Sequence, residues 1–254
     1  MLTTLRASAV PLVLCLSVLV VRAEDSVKTP RVLDDRLTLE LFASAPDIVT
    51  PVSIDVDSRG RVWVIESNTH FTPAGYDRHP SDRILVMSDE SGDGRADRFE
   101  VFADGFTHAM SLELLDDRRV LIATRRAIFL YVDEDGDLKS PTRKTLARLE
   151  STGDYPHNGL CGFAIDDLGV IHFGFGENLG HDYDVIGADG TTISGGGEGG
   201  SIFRMRVDGS GLERVSTGFW NPFHHCFDAF GNLFVVDNDP DSRPPCRLLH
   251  IVAG

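Results

Sequence analysis

The sequence predicts an all-β fold, a β-propeller, on two observations. One phrase returns four times: an apolar-alternating strand, a tight acidic turn and a second alternating strand, beginning at Ser53, Leu112, Phe163 and Cys226. The copies lie roughly 50–60 residues apart, the spacing of one four-stranded propeller blade. Each copy is followed by further alternating segments, and no long amphipathic helical pattern occurs anywhere in the chain.

Residues 1–23 read as a secretory signal peptide. Arg6 supplies the positive start, Ala9 to Val21 the apolar run, and Val21-Arg22-Ala23 the small-residue cleavage site. The run is too short to hold a membrane helix. A lipid anchor at Cys15 is disfavoured, because Leu14 precedes it and the apolar run continues past it. Residues 24–35 form a polar lead-in, and 36–254 the propeller domain. Within it, Leu37 to Phe42 alternates with period two and reads as a strand. The first copy is followed by strands at Arg83–Met87 and Phe99–Phe102, and the second by Ala127–Val132 and Lys144–Leu149. The third is followed by Ser201–Val207 and Glu213–Phe219, and the fourth by Arg247–Val252. That makes three blades and most of a fourth. Either residues 37–42 complete the fourth blade and close a small ring, or the chain is the front part of a larger propeller with open strand edges.

Two insertions, Ser67 to Asp82 and Glu177 to Gly200, interrupt the blade rhythm and read as long loops, where binding function concentrates. The run Gly195 to Gly200 lacks the Lys-Ser/Thr ending and the helix of a phosphate loop, and reads as a flexible turn. The formal net charge of −15 disfavours nucleic acid and anionic lipid as partners. It suits calcium, neutral substrates such as sugars, or a basic protein. Three cysteines remain after the leader, so one disulfide is possible. Cys226 and Cys246 flank neighbouring strands and are the favoured pair, with free thiols as the alternative. No Cys-x-x-Cys-His haem site is present in the sequence.

The sharpest local signal runs from Asp89 to Glu100. Asp89, Ser91, Asp93, Asp97 and Glu100 occupy the ligand positions of a calcium loop, with Arg95 at the main-chain position and Gly94 at the bend. Oxygen donors without nitrogen or sulfur favour calcium. The shorter run Asp133-Glu134-Asp135-Gly136-Asp137 reads as a plain turn. A second group follows the inner strands: Glu66, Ser67 and Asn68; Arg125 and Arg126; Glu177 and Asn178; Asp237, Asn238 and Asp239. In a propeller these converge on the channel mouth, where they bind a metal or polar substrate or simply keep a wet channel polar. A third group, His108, His157 and His224-His225, precedes the inner strands, and its imidazoles suit proton transfer near neutrality. Zinc at His224-His225 is discounted, because adjacent side chains on a strand point to opposite faces.

Several of these phrases, in this order, resemble the propeller of the planctomycete-type membrane-bound dehydrogenases. They are Gly60–Ser67, Asp82–Leu85 before the acidic loop, Phe102–Phe106, Gly218–Pro222, and Phe230–Phe234 followed by Asp237–Asp239. That family is distantly similar to the soluble quinoprotein glucose/sorbosone dehydrogenases, six-bladed propellers that use pyrroloquinoline quinone and calcium. The resemblance implies a front portion of such a propeller and a sugar or small polyol substrate. It also implies electron transfer to a cytochrome c domain or protein. His157 would be the general base, and Asn221, Arg125, Asp237 and Asp239 would hold the cofactor. Asn221-Pro222 resembles part of an Arg-Asn-Pro-x-Gly motif, with Trp220 in place of the Arg and His224 in place of the Gly. The alternatives are a calcium-dependent lactonase using Glu66, Asn221 and Asp237, and a non-catalytic propeller that binds glycans or a protein.

Overall fold

A computed structural model describes residues 30–72, 74–155, 158–238 and 246–252. The signal-peptide reading, His157 and Asp239 lie outside them. The chain divides into two compact units, Met1–Leu39 and Glu40–Gly254. In the first, the described residues form a turn in which Leu37 N–H donates to Asp34 O and the Arg36 guanidinium pairs with Asp34.

The second unit is all-β, with no helix among its described residues. Its first sheet is a meander of β1 (Pro51–Val56), β2 (Val62–Glu66), β3 (Asp82–Ser88) and β4 (Arg98–Phe106). The second holds β5 (Ala109–Asp116), β6 (Arg119–Thr124), β7 (Ala127–Val132) and β8 (Thr142–Ser151). The third opens with β9 (Leu160–Ile165) and β10 (Val170–Phe175). The chain then leaves it to make the hairpin β11 (Tyr183–Gly187) and β12 (Thr192–Gly195), which pairs with β8 on the outer edge of the second sheet. It returns as β13 (Gly200–Arg206) and β14 (Glu213–Phe219) to complete the third sheet. The last sheet comprises β15 (Asn221–Phe227), β16 (Leu233–Asn238) and β17 (Arg247–Ile251). The first strands of consecutive sheets touch one another, β1 against β5, β5 against β9 and β9 against β15. This is the radial arrangement of propeller blades around a channel.

Two corrections to the sequence reading arise here. The Glu177–Gly200 insertion is not a long loop, since it contains the hairpin that widens the second blade. Residues 37–42 form no strand. Their alternating leucines are exposed, and Phe42 joins the first blade by a single bond, Ala96 N–H to Phe42 O at 2.9 Å, rather than by a ladder.

The core explains why the strands read as near-continuous apolar runs. Successive side chains of a strand point to opposite faces, and in an inner blade both faces are covered. Val120 and Ile122 of β6 pack with Trp63, Ile65 and Phe102 of the first blade. Leu121 and Ala123 of the same strand pack with Phe163, Phe173 and Phe203 of the third. Ile202, Phe219 and Val235 fill the space between the third and fourth blades.

The repeated acidic turn has a structural cause. The Oδ1 of Asp57, Asp166 and Asp228 each accepts two backbone N–H bonds, from the residues two and four positions on, at 2.8–3.0 Å. The intervening Gly60, Gly169 and Gly231 sit at φ of 79°, 76° and 81°, a backbone region that side chains disfavour. The aspartate is thus turn chemistry, an Asx-type lock on each inner hairpin.

The three cysteines of the described region are free thiols, Cys161 buried and the other two exposed. The favoured Cys226–Cys246 pair is not formed. Cys226 pairs with Phe234 across β15–β16, whereas Cys246 precedes β17, on the far side of β16 and near the level of Asp237. Two strand spacings alone exceed the reach of a disulfide.

Candidate functional site

The registers Pro51↔Glu66, Ala109↔Thr124, Leu160↔Phe175 and Asn221↔Asn238 place the starts of the first strands and the ends of the second strands at one rim. The second and third sequence groups therefore share a mouth. A cavity of about 650 Å³ opens there, lined by His70, His108, Asn158, Trp220, Asn221 and Phe223 among others. This volume falls within the range of small-molecule sites.

The charged groups of the rim fasten the loops that enter the first strands. Glu66, 1% exposed, accepts Val49 N–H at 3.0 Å and pairs with Arg83. Asp82, fully buried, accepts the N–H groups of Asn68, Thr69 and Ala109 at 2.6–2.8 Å and the Thr69 hydroxyl at 2.9 Å. Asp237 accepts Asn221 N–H at 2.7 Å and Trp220 N–H at 3.1 Å, and pairs with Arg247. Buried carboxylates persist where hydrogen bonds and a cation compensate their desolvation. Arg125 is buried as well. Its guanidinium pairs with Asp154 and donates to the carbonyls of Gly153 at 3.2 Å and Asn158 at 3.4 Å. The Arg125 bond holds the Asp154 carboxyl below the usual carboxylate range.

What remains to face the cavity is neutral. His70 and His108 stand edge to face with ring centroids 6.0 Å apart. Trp220, Phe223 and Tyr155 supply aromatic surface, and Asn158 and Asn221 supply amides. Asn158 Oδ1 is a buried acceptor without a partner. Among the described residues no Lys or Arg lines the cavity. His70, Tyr155 and Phe223 were not singled out for the mouth from sequence. His70 and Tyr155 sit in loops without strand periodicity, and Phe223 lies beside a bulge in the β15–β16 register.

The acidic loop Asp89–Glu100 is closed on itself. Asp89 accepts the N–H groups of Gly92, Asp93 and Gly94 at 2.7–3.2 Å and the Ser91 hydroxyl at 3.2 Å. Asp97 accepts from Glu90 and Ser91 N–H, Asp93 from Arg95 N–H, and Glu100 from Arg98. These bonds lower the Asp89 and Asp97 carboxyls, led by those from Gly94 and Glu90 respectively. Among the described residues, the carboxylates that converge, with oxygens within 4.8 Å of one another, are Asp133, Asp135 and Asp137 in the run read as a plain turn. Asp133 there accepts Gly136 and Leu138 N–H.

The family model described as domain of unknown function (DUF7133) matches residues 22–249. No curated protein sequence matches this chain. Among solved structures it is similar to the calcium structure of a Trichoderma reesei enzyme of Carbohydrate-Active Enzymes Family AA12. The identity is 13%, covering 84% of this chain and 54% of that one, with a TM-score of 0.55. It is also similar to the PQQ-bound aldose sugar dehydrogenase of Streptomyces coelicolor, at 15% identity, 82% and 61% coverage, and TM-score 0.53. A third likeness is to the holo PQQ domain of Coprinopsis cinerea pyranose dehydrogenase, at 13% identity, 80% and 48% coverage, and TM-score 0.52. The chain spans about half to three-fifths of the length of these structures, and at such identities the likeness establishes the propeller fold alone.

Proposed function

The chain belongs to the DUF7133 family, and on that footing we propose that it is the sugar-binding propeller of a quinoprotein-like dehydrogenase that acts outside the cytoplasm. The observation that carries the proposal is the neutral mouth cavity. Aromatic faces receive the apolar face of a sugar ring, while amides and imidazoles meet its hydroxyls. The unpartnered Asn158 Oδ1 adds an acceptor at the wall. The substrate class and the oxidoreductase reading are supported by the fold shared with pyranose and aldose sugar dehydrogenases. Export is supported by the leader read in residues 1–23, and no helix among the described residues is long and apolar enough to cross a membrane. A cytochrome c domain or protein as electron acceptor is part of the same proposal.

Pyrroloquinoline quinone is a polycarboxylate, and the described lining does not match it. Arg125 is held by Asp154, and Arg83 and Arg247 by Glu66 and Asp237. The residues present, His70 and His108 with the amides of Asn158 and Asn221, meet and orient sugar hydroxyls in the cavity, and His157 stands as the proposed base. Glu66 and Asp237 fasten loops, which weighs against the calcium-lactonase alternative. The neutral lining equally serves glycan binding without catalysis.

Calorimetric titration with glucose tests the sugar site. Trp220→Ala is expected to weaken binding several-fold, from loss of roughly 1 kcal/mol of ring stacking. His108→Ala is expected to do the same with the fold intact. Absence of glucose binding in the parent chain overturns the reading. Reduction of a dye by glucose, with and without added pyrroloquinoline quinone, then separates dehydrogenase from binding module. Calcium at Asp89, Ser91, Asp93, Arg95, Asp97 and Glu100 requires Asp89 to exchange amide donors for the ion. Titration of the chelator-treated chain with calcium tests this. Heat that Asp89→Asn abolishes supports the site, and no heat in the parent chain retires it.

A further inference from the structure

A groove of about 1150 Å³ lies beneath the inserted β11–β12 hairpin, between the widened second blade and the outer strand of the third. We infer that this groove is the distal part of the mouth site and that the ligand is a neutral oligosaccharide rather than a single sugar. The inference rests on the sugar reading of the mouth.

Continuity is the first argument. The segment after β8 serves both spaces, with Ser151 and Thr152 lining the groove and Tyr155 and Asn158 lining the cavity. Thr152 and Tyr155 are three residues apart, no more than about 10 Å even in extended chain. The segment after β10 does likewise. Glu177 N–H donates to Trp220 O at the cavity at 2.5 Å, while Gly180 and His181 line the groove. Asn178 Nδ2 donates to Ser151 Oγ at 2.6 Å and fastens the two segments together. The cavity and the groove thus share these two fastened segments.

Chemistry is the second. The groove presents a bonded array of hydroxyl, carboxylate and guanidinium. Tyr183 Oη donates to Glu198 at 2.5 Å, and Arg214 donates to the same carboxylate at 2.5 Å and to Tyr183 Oη at 3.1 Å. Gly196 N–H holds the second Glu198 oxygen at 2.6 Å. Such preset donors and acceptors suit a chain of hydroxyls. Four carboxylates, of Glu150, Asp182, Asp184 and Glu198, face one guanidinium, so acidic glycans are repelled.

Shape is the third. A Cβ on Gly195 would collide with Glu198, and one on Gly196 would come within 2.5 Å of Asp182 Oδ1. The glycine run bares the wall where these carboxylates stand, which a flexible connection into β13 does not require.

Calorimetry with glucose, maltotetraose and cellotetraose tests the proposal on the full chain. One tetrasaccharide is expected to bind at least about tenfold more tightly than glucose. The exposed double substitution His181→Ala and Asp182→Ala is expected to bring that tetrasaccharide down to the glucose level while glucose binding is unchanged. Equal affinity for all three probes, or equal weakening of glucose and tetrasaccharide in the variant, overturns the inference and leaves the sugar reading standing. No binding of any probe overturns both.

Discussion

His225 sits in an environment at odds with its chemistry. It lies 2% exposed between the third and fourth blades, and neither ring nitrogen has a partner. An added Cβ on Gly162 would come within 2.5 Å of its Nδ1. Burial, with His224 and His172 adding like charge, pushes its pKa down to about 3. The unfolded chain protonates the same ring near 6.5. Between those values the unfolded state binds the extra proton, so stability is complete above about pH 6.5 and is lost as pH falls toward 3. Urea unfolding at pH 7 and pH 5 should differ by roughly 2 kcal/mol from this group alone, and His225→Leu should flatten that difference. An unchanged slope in the variant would show that the ring finds a partner in solution. Cys161 follows the same logic in the other direction, since burial pushes its thiol up to about 12. Native chain should therefore yield Cys226 and Cys246 to a thiol reagent quickly and Cys161 only on unfolding.

At the scale of elements, the buried carboxylates decide how well the mouth is held. Asp82 joins the Asn68–Thr69 loop of the first blade to Ala109 at the start of the second through four hydrogen bonds. Asp82→Ala leaves those donors buried and unmet, and should destabilise the chain by about 3 kcal/mol or more, measured by thermal unfolding. This role was not legible in the sequence, because Asp82 meets Ala109 only once two blades pack. Glu66 and Asp237 were legible as rim residues, yet strand periodicity could not tell a loop fastener from a ligand. The inner hairpins were readable because alternation and the Asp-x-x-Gly turn agree in three copies. The β11–β12 hairpin was not, since its strands are short and run into the glycine stretch. Leu37–Phe42 misled for the opposite reason: alternation alone reads as a strand, but a strand also needs an edge to pair with.

For the whole molecule, blade stacking determines which surfaces must still be covered. Each inner blade buries both faces against its neighbours, but the first and fourth sheets have a neighbour on one side only among the described residues. On the first, Val52, Ile54 and Val56 point to the face away from the second blade, with Ile54 65% exposed. Phe42, Ala43 and Ile48 cover only the part of that face over Val64, Leu85 and Met87. On the fourth, Val236 pairs with Leu248 on the face away from the third blade, and Leu248 is 67% exposed. Apolar sheet faces of this kind drive association when nothing covers them. The chain should therefore bind a hydrophobic dye while folded and gain mass with concentration in sedimentation or light scattering. Ile54→Thr combined with Leu248→Thr should reduce both signals. The melting temperature should hardly change, because neither side chain is buried and exposed substitutions usually stay within about 0.5 kcal/mol. A parent chain that is monodisperse and dark to the dye would mean that both faces are already covered within one molecule, and the variant would then lose stability instead.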